Sequence, residues 1–139
     1  MTQNNKESGF SLIELLIVVV IIGVVAALAV PNLQKGLRAA ENGTAFATMR
    51  TISSSQAGFF SQKNRFARIT ELNTILHEII GTNAGDRVIR GEYIFEMNPT
   101  TPTDEELKNE YTITATRTVD SVIYKYELTQ TGEIVQILP

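Results

Sequence analysis

The sequence predicts an α+β fold: a long N-terminal α-helix, apolar in its first half and amphipathic in its second, packed on a small antiparallel β-sheet of about four strands. Three observations predict it. Residues 10–30 are apolar except for Ser11 and Glu14. Apolar residues then recur at helical spacing to about residue 62. From Val88 onward the period falls to two, the signature of strands. A length of 139 residues fits a single domain. Twelve Lys and Arg against fifteen Asp and Glu give a net charge of −3, which argues against nucleic-acid binding driven by bulk charge. The absence of cysteine removes disulfides, thiolate zinc sites, iron–sulfur clusters and cysteine nucleophiles together. One histidine, His77, leaves a histidine-rich metal site or a Ser-His-Asp triad hard to build.

The run from Phe10 to Val30 (FSLIELLIVVVIIGVVAALAV) would span roughly 31 Å as a helix, about the hydrocarbon thickness of a bilayer. A helix apolar on every face must be buried in lipid or among other helices. Three readings compete. Ala27-Leu28-Ala29 matches the small-x-small site of a cleaved secretory signal, but the run is long for a signal core and carries Glu14. A signal anchor holding an external domain is the second. A buried core helix is the third, and the remaining chain is too small to cover one. Basic residues do not fix the orientation. Lys6 precedes the run and Lys35, Arg38 and Arg50 follow it, which favours the C-terminal side inside, but the rule weakens for long translocated domains.

Glu14 discriminates among these readings. A carboxylate within an apolar membrane segment costs about 2.5–3.5 kcal/mol on insertion scales, so it needs a partner or a task. One account is a capping box, because Ser11-x-x-Glu14 has the spacing for a helix N-terminus. The other needs a cation from another chain. A free α-amino group on Phe10 would serve if residues 1–9 were removed, and Gly9 offers a protease an unobstructed backbone at that junction.

Gly9-Phe10-Ser11-Leu12-Ile13-Glu14-Leu15-Leu16, with the apolar run and Pro31 after it, resembles the N-terminus of type IV pilins and the related pseudopilins. The resemblance implies cleavage by prepilin peptidase between Gly9 and Phe10 and N-methylation of Phe10. It implies a single pass through the inner membrane with the leader cytoplasmic and the head periplasmic. An assembly machine in the inner membrane would then extract the chain into a helical homo-oligomeric filament. Glu14 would neutralise the Phe10 amine of a neighbouring subunit during assembly. The expected division is therefore a leader at 1–9, a transmembrane and filament-core helix at 10–33, the amphipathic half at 34–62 and a globular head at 63–139.

Physical chemistry supports the same scheme from another side. Moving such a helix from lipid into a bundle exchanges one apolar environment for another, so the hydrophobic cost is small. A charged pair in that bundle strengthens as the local dielectric falls. Pro31 lacks an N–H and collides with the carbonyl of Ala27, and Gly23 is a second weak point. A simple kink is one reading. Unwinding of 23–31 in the assembled state, which the resemblance also implies, is the other; in lipid the freed backbone groups would be expensive.

Beyond Pro31 the helix is expected to resume. Leu33, Leu37, Ala40, Phe46, Met49, Ile52, Phe59 and Phe60 make the apolar stripe, and Lys35, Arg38, Glu41, Asn42, Arg50 and Gln56 lie between them. A second helix is expected over Thr70–Ile80, with His77 and Asn73 on its polar side, ended by Gly81, Asn83 and Gly85. Strands are expected at Val88–Met97, Tyr111–Thr118, Val122–Thr129 and Glu133–Leu138, with a hairpin turn at Gln130-Thr131-Gly132. Thr103-x-x-Glu106 has capping spacing. Asp104, Glu105, Glu106 and Glu110 lack the spacing and glycine of an EF-hand loop and read as a solvated acidic loop.

Two departures from the family pattern matter. The disulfide that closes the C-terminal loop of many pilins is impossible here, and the calcium loop typical of the major pseudopilin of type II secretion is not evident. The reading is therefore a structural pilus subunit, with no enzymatic activity, cofactor or metal site and no nucleic-acid contact expected. A type II secretion pseudopilin and a membrane-anchored binding protein that never polymerises are the alternatives.

Overall fold

Apolar residues at helical spacing dominate the N-terminal half of the chain, which forms one helix, α1 (Leu12–Lys63), running through Gly23, Pro31 and Asn42-Gly43 without interruption. The computed structural model describes residues 8–139, so the leader expected at 1–9 falls, up to residue 7, outside the described residues. The chain divides into two compact units, one reaching to Ala39 and the other comprising Ala40–Pro139.

In the second unit α1 buries one stripe: Ala45, Thr48, Met49, Ile52, Gln56 and Phe59, spaced at three and four residues. The expected stripe was longer. Leu33 and Leu37 are exposed, and the packed face begins at Ala45. Gln56 is a correction as well. It was placed among the polar residues between apolar positions, but it is completely buried. Its Nε2 donates to the Ala67 carbonyl at 2.8 Å, and its Oε1 accepts from the Ala67 N–H at 2.8 Å. One side chain thus closes the loop after α1 against the helix.

The second helix is shorter than expected. α2 covers Ile69–Ile75, and the chain turns away over 76–80, with His77 and Glu78 both at positive φ. Asn73, expected on a polar surface, is fully buried and explains the early stop. Its Oδ1 accepts from the N–H groups of Ile80 and Gly81, and its Nδ2 donates to the Gly81 carbonyl and to Asn83 Oδ1. These bonds hold a turn where the periodicity alone would continue a helix.

Among the described residues the sheet has six strands, in chain order and all antiparallel: β1 (Thr82–Ala84), β2 (Arg87–Arg90), β3 (Tyr93–Met97), β4 (Thr112–Val119), β5 (Val122–Thr129) and β6 (Ile134–Leu138). The count exceeds the expected four for two reasons. The run Val88–Met97 folds back on itself at Gly91, whose φ of +59° supplies a turn. The segment read as a helix terminator, with Gly85 at φ +65°, makes a further hairpin. Strand register aligns Phe95, Ala115 and Tyr126, and one step along it aligns Met97, Ile113 and Leu128. These residues are buried and belong to one core with Met49, Ile52, Phe59 and Leu72.

The Thr103–Glu106 spacing does cap a short 3-10 turn, Glu106–Lys108. Glu106 accepts from the Thr103 N–H at 2.8 Å, and these bonds hold its carboxyl below the usual range. Asp104 instead pairs with Arg68 at 2.8 Å, and Glu105 with Lys108.

Gly81 sets a tight spot between α2 and β2. A Cβ there would lie 2.4 Å from the Ile89 carbonyl oxygen, a backbone atom that cannot swing aside. Gly81→Ala is expected to destabilise the second unit by about 1–3 kcal/mol, the range for overpacking, visible as a lowered thermal midpoint.

Candidate assembly site

The site is built at the start of α1, within the first unit. Gly9 and Phe10 precede the helix, and Phe10 is 92% exposed. Ser11 caps the helix and Glu14 stands in its first turn. The two make a reciprocal capping box. The Ser11 N–H donates to Glu14 Oε2 at 2.8 Å, and the Glu14 N–H donates to Ser11 Oγ at 3.3 Å. The carboxylate also faces the positive end of the helix dipole. Ser8, Gly9, Phe10 and Glu14 line one open hollow. The fold therefore brings together the junction and the acid singled out from the sequence. Gly23 and Pro31 are not part of this cluster; at ~1.5 Å per residue they stand roughly 13 and 25 Å further along the axis from Glu14.

The helix that follows is apolar on all sides and covered on none. Leu12, Ile13, Val20, Ile22 and Leu28 are all more than half exposed, and no part of its most apolar window is buried. It is long and apolar enough to cross a membrane. A Cβ at Gly23 would meet nothing within 4 Å, so packing inside this chain does not require the glycine. Pro31 sits inside the helix, and Asn32 donates from Nδ2 to the Leu28 carbonyl at 3.2 Å beside it.

A second polar cluster, in the other unit, was missed in the sequence. The Arg117 side chain is 2% exposed. It pairs through Nη1 with Glu41 on α1, its Nε lies 3.2 Å from Glu92, and its guanidinium stacks on the rings of Tyr93 and Tyr124. Tyr93 donates its hydroxyl to Asn42 Oδ1 at 2.7 Å. The available signal was the strand period: Arg117 is in phase with Tyr111, Ile113 and Ala115, all core-facing. Burial, reinforced by Tyr126, pushes the Tyr93 phenol up to about 12. The neutral phenol therefore contributes stability that is complete below its ordinary pKa of about 10 and is lost as pH climbs from there to about 12. Burial raises the Tyr111 phenol as well, so absorbance titration is expected to show late phenolate steps of which Tyr93→Phe removes one.

Among the described residues no group of three or more histidine, aspartate or glutamate side chains is placed to hold a metal ion.

An apolar helix with no cover, opened by a capped glutamate next to a Gly-Phe junction, has a surface suited to lipid or to other helices. Comparison with known proteins sharpens this. Residues 4–30 match the family described as the prokaryotic N-terminal methylation motif. Over 64 residues the chain is 41% identical to the type IV major pilin protein PilA of Myxococcus xanthus (strain DK1622), a stretch covering 46% of this chain and 29% of that protein. The chain thus matches less than a third of that relative's length. No solved structure matches. Both matches are partial: the motif covers residues 4–30, and the likeness to that pilin covers under half of this chain.

Proposed function

We propose that this chain is a structural subunit of a type IV pilus-like filament, held in the inner membrane before assembly and polymerising through its apolar N-terminal helix. The observation that carries the reading is the pairing of a helix exposed along its whole apolar length with an acid at its start. Such a surface is satisfied by lipid and equally by copies of itself.

In this scheme prepilin peptidase cuts between Gly9 and Phe10 on the cytoplasmic side and methylates the new Phe10 amine. Residues 10–33 then span the membrane, residues 34–62 continue the helix, and residues 63–139 form the head on the periplasmic side. The assembly machinery of the inner membrane moves the subunit into a helical filament of like copies. There Glu14 neutralises the Phe10 amine of a neighbour, and 23–31 unwinds where subunits pack. A pilus shaft is favoured over a secretion pseudopilin because Asp104, Glu105 and Glu106 are each engaged by a different partner rather than gathered around a shared centre.

Intact-mass analysis of the membrane and sheared surface fractions tests this. The expected species begins at Phe10, carries one added methyl group and appears in both fractions. A retained Met1, or a start at Val30, would overturn it.

A further inference from the structure

The stretch of α1 just before its buried stripe is held differently from the rest. Asn42, Gly43 and Thr44 are three weak helix formers in succession. Gly43 and Thr44 are exposed, and Ala45 is the first fully buried residue of the helix. A Cβ at Gly43 would meet nothing within 4 Å, so no close approach accounts for the glycine. Beneath this turn lies a cavity of about 80 Å³, lined by Glu41, Thr44, Gly91, Glu92 and Tyr93 among others. The turn is tied to the sheet by polar side chains, through Glu41 to Arg117 and through Asn42 to the Tyr93 hydroxyl.

We propose that residues 42–44 are a latched hinge in α1, held shut by the Arg117–Glu41 ion pair and the Tyr93–Asn42 hydrogen bond, which opens without unpacking the core from Ala45 onward. Opening separates few apolar contacts, because a crevice open to solvent already lies between the turn and residues Arg90–Tyr93. It also leaves Arg117 paired. Glu92 lies 3.2 Å from Nε, and the Tyr93 and Tyr124 rings continue to flank the guanidinium. The closed latch leaves Arg117 Nε buried without a hydrogen bond. A buried arginine that lost its single carboxylate would resist release strongly; one with a second carboxylate does not. Glycine then supplies the backbone freedom at the pivot. This hinge is independent of whether the chain polymerises.

Hydrogen exchange read by mass spectrometry on the full chain in detergent micelles tests it. Glu41 is the variant of choice, because its side chain is 43% exposed and its loss leaves the core intact. Glu41→Gln is expected to speed exchange of amides 42–48 at least tenfold while amides of 52–60 and of the sheet stay within twofold. Gly43→Ala is expected to slow 42–48 at least threefold, and to restore protection when combined with Glu41→Gln. Unchanged exchange at 42–48 in Glu41→Gln would overturn the proposal. So would an equal rise throughout the second unit, which would make Glu41 a contributor to global stability, or the absence of slowing in Gly43→Ala.

Discussion

Glu14→Ala is expected to leave the chain in the membrane and to remove it almost entirely from filaments. Insertion loses nothing, since the change deletes a carboxylate that the apolar environment penalises. Assembly, as proposed, would lose the partner of a buried cation. An unpaired charge in a packed interior costs about 3–5 kcal/mol, which corresponds to roughly two to three and a half orders of magnitude in incorporation. The capping box gives this experiment its controls. Glu14 also serves its own helix by accepting from the Ser11 N–H. Glu14→Gln keeps a capping side chain but has no charge, and Ser11→Ala weakens the cap but keeps the charge. If pairing governs assembly, Glu14→Gln fails like alanine while Ser11→Ala assembles. The reverse pattern, read as the ratio of sheared to membrane-bound chain, would assign the whole effect to helix capping.

Gln56→Ala is expected to destabilise the second unit as strongly as truncating a large apolar core residue. Gln56 is wholly buried and satisfies both backbone groups of Ala67 at 2.8 Å. Truncation strands an N–H and a carbonyl in the core and leaves a void, together costing about 3–4 kcal/mol. Gln56→Leu refills the space but not the hydrogen bonds, so it should recover only a minor part of the loss. Thermal unfolding of the detergent-solubilised chain, followed by circular dichroism, measures both. If leucine matches the parent, the amide contributes nothing to stability.

These two residues mark what could and could not be seen in the sequence. Glu14 stood out because charge in an apolar run is a local anomaly, visible without a partner. The strands after residue 110 were equally plain: Thr112–Val119, Val122–Thr129 and Ile134–Leu138 follow their alternation to within a residue or two of the expected bounds. Gln56 and Asn73 were not legible as buried groups, and for Arg117 the strand period gave the inward face but not its partners, because those partners are backbone or carboxylates that only folding brings near. Ala67 is eleven residues from Gln56, and Glu41 is seventy-six from Arg117. The second helix was overextended for the same reason. Leu72, Ile75, Leu76 and Ile79 keep a helical period, but Asn73 takes the backbone groups that end it, and Ile75 and Ile79 stay exposed. The split of Val88–Met97 left a trace at Gly91, inside an otherwise continuous run.

The ladder β1-β2-β3-β4-β5-β6 follows the chain order. No strand must wait for a distant segment to be synthesised or delivered, so each hairpin can form as soon as its second arm is present. Low contact order of this kind favours quick collapse over a prolonged search. With no thiol to oxidise, the second unit completes its fold without help from redox enzymes. Completion of this sheet then calls on neighbouring hairpins alone, each ready once its own two arms exist.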